Sequence, residues 1–397
     1  MEQELIITRV KDYIVSAINE GGRIEELSVE EKQGSIIGNI YIGKVKNIVS
    51  NIRAAFVEIE GGQLCYYSLA ENKHPFFVTP KNSQKLVVGD EILVQVEKEA
   101  IKTKAPVVTS HLNITGKYVV LTTGKSYLGI SNKITDQEER KRLREICSPF
   151  VTEEYGIVVR TNGQGATKMQ LEREIKVLAD RLQHIYEIAP YRNCFQLIYE
   201  ADKGYLCYLR DQNASKIKHI YIDQEDLYEE VRQYLLTYQE EDIDKLVDYR
   251  NKPLSLNQCY GIEKVINGAL RKRVWLDSGA YLVIEPTEAM VVIDVNTGKA
   301  IGKKNMKEHI LNVNLEAAKE IVRQLRLRNL SGIIIVDFID MKEEIDRETL
   351  MKEFAKYLKA DRNKTDLIEM TKLNLVEITR KKGKRALYEI VGYNEVE

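Results

Sequence analysis

Two stretches of the chain run apolar residues into a carboxylate. AMVVIDVNTGK leads through Val291, Val292 and Ile293 to Asp294, with Asn296 two residues on. SGIIIVDFIDM leads through Ile333 to Val336 into Asp337, with Asp340 three residues further. Buried strands of this composition normally stay apolar. A carboxylate at the carboxyl end of each, on strands expected to be neighbours, therefore brings two negative charges to one spot. Two unpaired carboxylates a few ångströms apart repel, and one takes up a proton unless a cation lies between them. Magnesium suits such a pair, because it takes one or two protein carboxylates and completes its octahedron with water and phosphate oxygens. Asn296 shares a face with Asp294 by the two-residue period of a strand and can hold a water or a phosphate oxygen. The competing reading is an Asp that caps a turn at a strand end. It suffices for one such residue, whereas two matched strand ends with an Asn at i+2 favour the metal-holding pair. Asp340 reads as a structural or outlying partner.

Other chemistries find less support. NTGKAIGK lacks the spacing of a phosphate-binding GxxxxGK[ST] loop, which excludes a nucleoside-triphosphate site of that kind. His74, His111, His184, His219 and His309 are scattered and form no HxxxH or HExxH pattern. No Ser-His-Asp or Cys-His arrangement can be assembled, so any hydrolysis should be metal-assisted and not covalent. Cys65, Cys147, Cys194, Cys207 and Cys259 stand apart, with no CxxC. This argues against a disulfide framework or a cysteine-rich zinc site and for a reducing cytoplasm. The N-terminus has no apolar core of a signal peptide, and no apolar run is long enough to span a membrane.

The elements that must position these residues occupy 397 residues, room for two to four domains. Apolar residues at 44% provide for a packed core. A net charge of −1 excludes a polycationic binder but not a nucleic-acid enzyme with local basic patches. Residues 1–35 alternate as two or three antiparallel strands. Residues 38–111 spell five short strands with glycine turns, the pattern of a small closed barrel. Residues 112–167 hold further strands around a charged helix, DQEERKRLREIC. Residues 169–189 form an amphipathic helix. Residues 195–222 read as strands again (FQLIYE, YLCYLR, HIYID), and 223–272 as mostly helical. From 273 the pattern becomes α/β, with helices near 305–329 and 345–360.

The barrel segment carries Phe56, the pair Tyr66 and Tyr67, and Lys44 and Lys46 on either side of Val45. Exposed rings stack on bases and nearby cations hold phosphates, as in single-strand-binding barrels. Half of an alternating strand faces inward, so Phe56 and one of the two tyrosines serve equally well as barrel core.

Taken together, GNIYIGKVKNI, AAFVEI, GIVVRTNG, AMVVIDVNTGK, NVNLEAAKEIVRQLRLRNLSGIIIVDFIDM and EMTKLNLVEITRKK resemble the bacterial ribonuclease E/G family over nearly the whole chain and in the same order. The resemblance implies an α/β multi-subdomain fold. An RNase H-like subdomain would form from residues 1–36 and 206–268. An OB-fold RNA-binding barrel would occupy 37–111, a 5′-sensor region 112–205, and a DNase I-like catalytic subdomain 269–397. It implies Mg2+-dependent endonucleolytic hydrolysis of single-stranded, A/U-rich RNA to 5′-phosphate and 3′-hydroxyl ends, in maturation of ribosomal or transfer RNA or in messenger decay. The family's metal-binding aspartates fall on Asp294 and Asp337, and its catalytic Asn on Asn296. Its 5′-monophosphate pocket falls on Arg160, Thr161, Gly116 and Val120. Its RNA-gripping groups on the barrel fall on Phe56, Tyr66 (usually Phe) and Lys104.

There are departures. Positions usually Arg near the sensor fall on Asn132, followed by Lys133, and on Lys364. Lysine lacks the bidentate fork of arginine, which bears on discrimination among 5′ ends. The zinc-link motif CPxCxG is missing, so the resemblance implies no zinc, and a monomer or dimer in place of a zinc-linked tetramer. Lys299 is a candidate for stabilising charge in the transition state. A non-catalytic RNA-binding regulator is the alternative, and the intact set Asp294, Asn296 and Asp337 speaks against it.

Overall fold

The computed structural model describes residues 2–32, 34–100, 104–213, 215–298, 306–359 and 361–392, with Met306 and Lys307 described as backbone. The chain divides into two units, residues 1–32 with 214–397, and residues 33–213. Among the described residues no helix is long and apolar enough to cross a membrane.

In the first unit, the N-terminal alternation becomes three antiparallel strands, Gln3–Val10, Tyr13–Glu20 and Arg23–Glu31. Gly21 and Gly22, both at positive φ, make the tight hairpin turn that links the second and third. Ile217–Ile222 and Leu246–Asp248 join the other side of Gln3–Val10 as parallel strands, giving five in one sheet. Val15, Ala17 and Leu27 pack on Leu256, Ile262 and Ile266 of two short helices.

A second, six-stranded sheet follows in the same unit. Its order is Arg273–Trp275, Tyr281–Pro286, Met290–Asn296, Gly332–Asp337, Leu375–Arg380, Thr365–Met370. The central pair, Met290–Asn296 and Gly332–Asp337, is parallel, and its other neighbours are antiparallel. The two strands are joined through the helix Met306–Leu327, as a parallel connection requires. That helix and Glu344–Leu358 cover one face, where Ile293, Val295, Ile334 and Val336 meet Ala317, Ile321, Leu325 and Phe354. The other face is open, with Met290, Val292 and Ile333 exposed. An apolar run of this kind can be covered on both sides or on one, and here it is covered on one. An unbroken apolar run does not distinguish the two cases, because only alternate residues need a partner layer.

The second unit opens with the expected barrel. Ile40–Val49, Ala54–Glu58, Leu64–Ser68, Val107–Thr109 and Glu91–Lys98 pair in a ring that the first and last strands close. Val57, Cys65, Tyr67, Val94 and Val108 fill it. Gly43 lies where two barrel walls converge. A Cβ there would sit 2.5 Å from a Val57 methyl, so only glycine fits. A four-stranded sheet follows, of Leu128–Ile130, Tyr155–Val159, Val119–Thr123 and Asn113–Thr115. The helix Lys168–Ile188 packs Leu171, Ile175, Leu178 and Leu182 within the same hydrophobic core. A capping box of Thr167 and Gln170 fixes the start of that helix.

YLCYLR, read as a strand, lies in the helix Gly204–Asp211. Tyr205, Tyr208 and Leu209 are buried at helical spacing. The aromatic content suggested a strand, and the i, i+3, i+4 burial overrode it.

Candidate functional site

Asp337 closes its strand opposite Asp294, and the strand of Asp294 runs two residues further to Asn296. Asp294 and Asp337 are direct partners across the ladder, so their backbones lie about 4.8 Å apart and their side chains share a face. Burial along the strands places that face opposite the helices, on the open side of the sheet. Asn296 joins them there, its Nδ2 donating to Asp294 Oδ2 at 2.7 Å. Asp337 is exposed and Asp294 half-buried. Partial desolvation, then the charges of Asp294 and Asp340, push the Asp337 carboxyl above its ordinary value. Asp340 is itself exposed and accepts from Asn374 Nδ2 at 3.3 Å.

Asn314 was not singled out in the sequence. It is fully buried on the helix Met306–Leu327 and clamps the segment after Asp337, donating to the Ile339 carbonyl and accepting from its N–H at 2.8 and 3.1 Å. The signal was legible as a polar residue among the apolar positions of NVNLEAAKEIV. Lys299 lies outside the described residues. Among the described residues no three His, Cys, Asp or Glu side chains are grouped for a metal ion, so the carboxylate pair stands as a pair.

On the barrel, Phe56 and Tyr66 are ladder partners with ring centroids 6.5 Å apart, edge to face. Both are half-buried, whereas Tyr67 is fully buried with its hydroxyl against Ser110 Oγ at 2.8 Å. The tyrosine pair is thereby resolved, with Tyr67 inside and Tyr66 beside Phe56. Lys104 is exposed. Lys46 and Lys44 pair with Glu58 and Glu91 at 2.8 and 3.5 Å.

The third group assembles around Arg160. Its Nη1 donates to the Gly116 carbonyl and its Nη2 to Asp211 Oδ1, both at 2.7 Å. Thr161 Oγ1 meets Ser131 Oγ at 2.9 Å, which brings Asn132 and Lys133 to the same rim. Val120 is half-buried on the strand beside Tyr155–Val159, the strand that leads into Arg160. Two carboxylates that sequence reasoning missed organise this place. Asp211 pairs with Arg160 and Arg210. Burial alone would raise its carboxyl, but the two guanidinium groups outweigh burial and hold it below the usual range. Glu174 accepts the backbone N–H groups of Lys117, Tyr118 and Val119 at 2.7–2.9 Å. Burial nevertheless pushes its carboxyl above the ordinary value. A Cβ on Gly116 would collide with that carboxylate, so glycine here admits Glu174 to its nest of amides.

Paired carboxylates on an open sheet face and a ring-bearing barrel are the parts of a nucleic-acid-processing enzyme. The sequence pattern of the Ribonuclease E/G family matches residues 113–383. Ribonuclease G of Haemophilus influenzae is 34% identical over 98% of this chain and 81% of that protein. Ribonuclease G of Escherichia coli K12 is 30% identical over 98% and 82%. Ribonuclease E of a Nostoc species is 32% identical over 99% of this chain and 57% of its own. The chain belongs to the ribonuclease E/G family of endoribonucleases.

Proposed function

We propose that this protein hydrolyses single-stranded, A/U-rich RNA internally at Asp294, Asn296 and Asp337, leaving 5′-phosphate and 3′-hydroxyl ends. The observation that carries the reading is the in-register pairing of the two aspartates on an open sheet face. The charge of this donor set fits a divalent cation: two carboxylates share a spot with Asp340 near, and desolvation, then the charges of Asp294 and Asp340, raise the proton affinity of Asp337. Asp294 and Asp337 would hold Mg2+. When bound, the ion supplies Lewis-acid polarisation of the scissile phosphate and a lowered pKa for the attacking water.

The remaining work falls to the chain. The Asn296 amide fixes the orientation of the Asp294 carboxylate and keeps its carbonyl to accept from a water and its second N–H to donate to a water or a phosphate oxygen. Asn314 holds the backbone beyond Asp337, so the second carboxylate is presented from a braced strand end. The subdomain reading accords with the strand pairing: three antiparallel strands extended by two parallel ones support an RNase H-like arrangement of 1–36 and 206–268. The closed barrel supports an OB-fold at 37–111. Residues 112–205 would be the sensor and 269–397 the DNase I-like catalytic part.

The test uses a fluorescent 5′-monophosphorylated oligoribonucleotide, with Mg2+ and with EDTA. Cleavage only with metal is expected. Binding without metal-dependent cleavage would favour an RNA-binding regulator.

Phe56 and Tyr66, with Lys104, would grip RNA on the barrel. Phe56→Ala or Tyr66→Ala should weaken RNA binding by roughly 1–3 kcal/mol, measured by anisotropy of a labelled oligoribonucleotide. A lower melting temperature at unchanged affinity would instead assign the ring to barrel packing.

Arg160, Thr161, Gly116 and Val120 would sense a 5′-monophosphate, with Asp211 competing for the same guanidinium. Arg160→Ala should reduce the preference for 5′-monophosphate over 5′-hydroxyl substrates about tenfold, the worth of one charged hydrogen bond. Asp211 keeps Arg210 in that variant, so no carboxylate is orphaned. Asp211→Asn should move the preference the other way. Equal rate losses on both substrates would show that Arg160 serves the fold alone.

A further inference from the structure

Beside the carboxylates, the open sheet face carries three side chains to which the reading above gives no role. Across neighbouring strands the ladder runs Trp275, Tyr281, Asn296 in one row and Arg273, Val283, Asp294, Asp337 in another. Ladder partners project from the same face, so both rows lie with the carboxylates. Val274, between Trp275 and Arg273, turns to the opposite side and packs against the core. Trp275 is 63% exposed and its ring lies 5.1 Å from that of Tyr281. The Arg273 guanidinium sits over both rings, 4.8 Å from the Tyr281 centroid and 5.9 Å from that of Trp275. Met290 and Val292, also exposed, extend the same surface from the Asp294 strand.

Trp275 with Met290 and Val292 makes an exposed apolar patch, the mark of a contact surface, which a second copy of the chain or a nucleobase would each cover. The cation favours the nucleobase. An apolar protein contact would have to desolvate Arg273, whereas a base stacked on Trp275 leaves the guanidinium next to its own phosphate. The position agrees. Trp275 stands two strand spacings, about 10 Å, from the strand of Asn296 and Asp294. We propose that Trp275, Tyr281 and Arg273 form a stacking subsite that holds one base of single-stranded RNA a few nucleotides from the scissile phosphate, with Arg273 meeting an adjoining phosphate. The proposal rests on Asp294 and Asp337 being the cleavage site, and its test separates the two.

Trp275 is the only tryptophan in the chain, so the protein's indole emission reports on this position alone. The Asp337→Asn protein is titrated with a short single-stranded A/U oligoribonucleotide, and binding is followed in parallel by anisotropy of a label on the RNA. Emission should be quenched in step with binding, and an oligonucleotide made abasic throughout should bind without the quench. In the otherwise unmodified enzyme, Trp275→Ala should raise KM about tenfold, with kcat moving less, and Trp275→Phe should recover most of the loss. Unchanged emission at saturating RNA, or a Trp275→Ala enzyme with unaltered KM, overturns the subsite. A change of oligomeric state in Trp275→Ala, seen by light scattering, assigns the face to a second copy and overturns it as well. Normal cleavage by Asp337→Asn defeats the reading of the carboxylates and leaves the emission result standing on its own.

Discussion

Asp337→Asn is expected to lower cleavage by roughly three orders of magnitude or more, the worth of several kcal/mol of transition-state stabilisation, while RNA affinity stays close to that of the unmodified chain. The substitution keeps the size and the strand position of the side chain and removes one of the two charges available to a cation. The ladder partner Asp294 would then face an amide. The same change removes a charge that is disfavoured first by partial desolvation and then by Asp294 and Asp340, so melting temperature should hold or rise slightly. Loss of activity with retained or improved stability is the signature that separates a functional carboxylate from a structural one. Asp294→Asn should act in the same direction, with an added cost because the Asn296 amide would lose its charged acceptor. A cation and a proton compete for the Asp337 carboxylate, whose proton affinity lies above the ordinary value, through partial desolvation first and then the charges of Asp294 and Asp340. The Mg2+ concentration needed for half-maximal rate should therefore rise as pH falls into the carboxylate range. Near-normal Mg2+-dependent cleavage by either variant would remove that residue from the site.

The paired aspartates were legible because each breaks an apolar run at its carboxyl end, a pattern that local sequence displays. Their parallel direction follows from the connection through the helix Met306–Leu327, whose periodicity was also visible, while the register that sets Asp294 opposite Asp337 comes from the ladder itself. Burial on only one side of these strands was not visible, since Met290, Val292 and Ile333 look the same in sequence whether covered or open. The barrel was readable from its alternation and turns, but Tyr66 and Tyr67 could be told apart only by the pairing of Phe56 with Tyr66. The carboxylates around Arg160 lay beyond local patterns altogether. Asp211 and Glu174 reach Arg160 and the 117–119 amides from other elements, across about 50 residues of chain. Gly116 was read as lining a pocket, and the geometry adds a second reason for glycine in the Glu174 carboxylate that presses against it. Nothing local to RVWLDSG marks Trp275, because its meaning lies in the strands beside it.

Asp361→Ala should destabilise the unit that carries Asp337 by about 3–5 kcal/mol, a fall in melting temperature of roughly 10 °C for a unit of this size. Asp361 and Arg380 form an ion pair that is almost wholly buried, with 2% and 3% of their side chains exposed. Arg380 Nε donates to Asp361 Oδ2 at 2.7 Å, and Nη1 donates to the Leu330 carbonyl at 2.8 Å. Asp361 in turn accepts from the Asn363 N–H and Thr365 Oγ1, each at 3.0 Å. The pair thus ties the start of the Thr365–Met370 strand to the chain just before Gly332–Asp337, and Arg380 is itself the ladder partner of Gly332. Removing the carboxylate strands a guanidinium among buried groups, and the uncompensated charge, more than the lost attraction, sets the cost. Replacing both partners together, Asp361→Leu with Arg380→Met, should therefore cost less than Asp361→Ala alone. It should not be neutral, because the Leu330 carbonyl and the Asn363 amide lose their partners in the exchange. Calorimetry of the two variants against the unmodified protein distinguishes these terms. Below its melting temperature Asp361→Ala should still cleave, since the ion pair anchors the end of the Asp337 strand away from the carboxylates. A variant that melts normally but has lost cleavage would mean that the pair controls the geometry of the site directly and not the stability of the sheet.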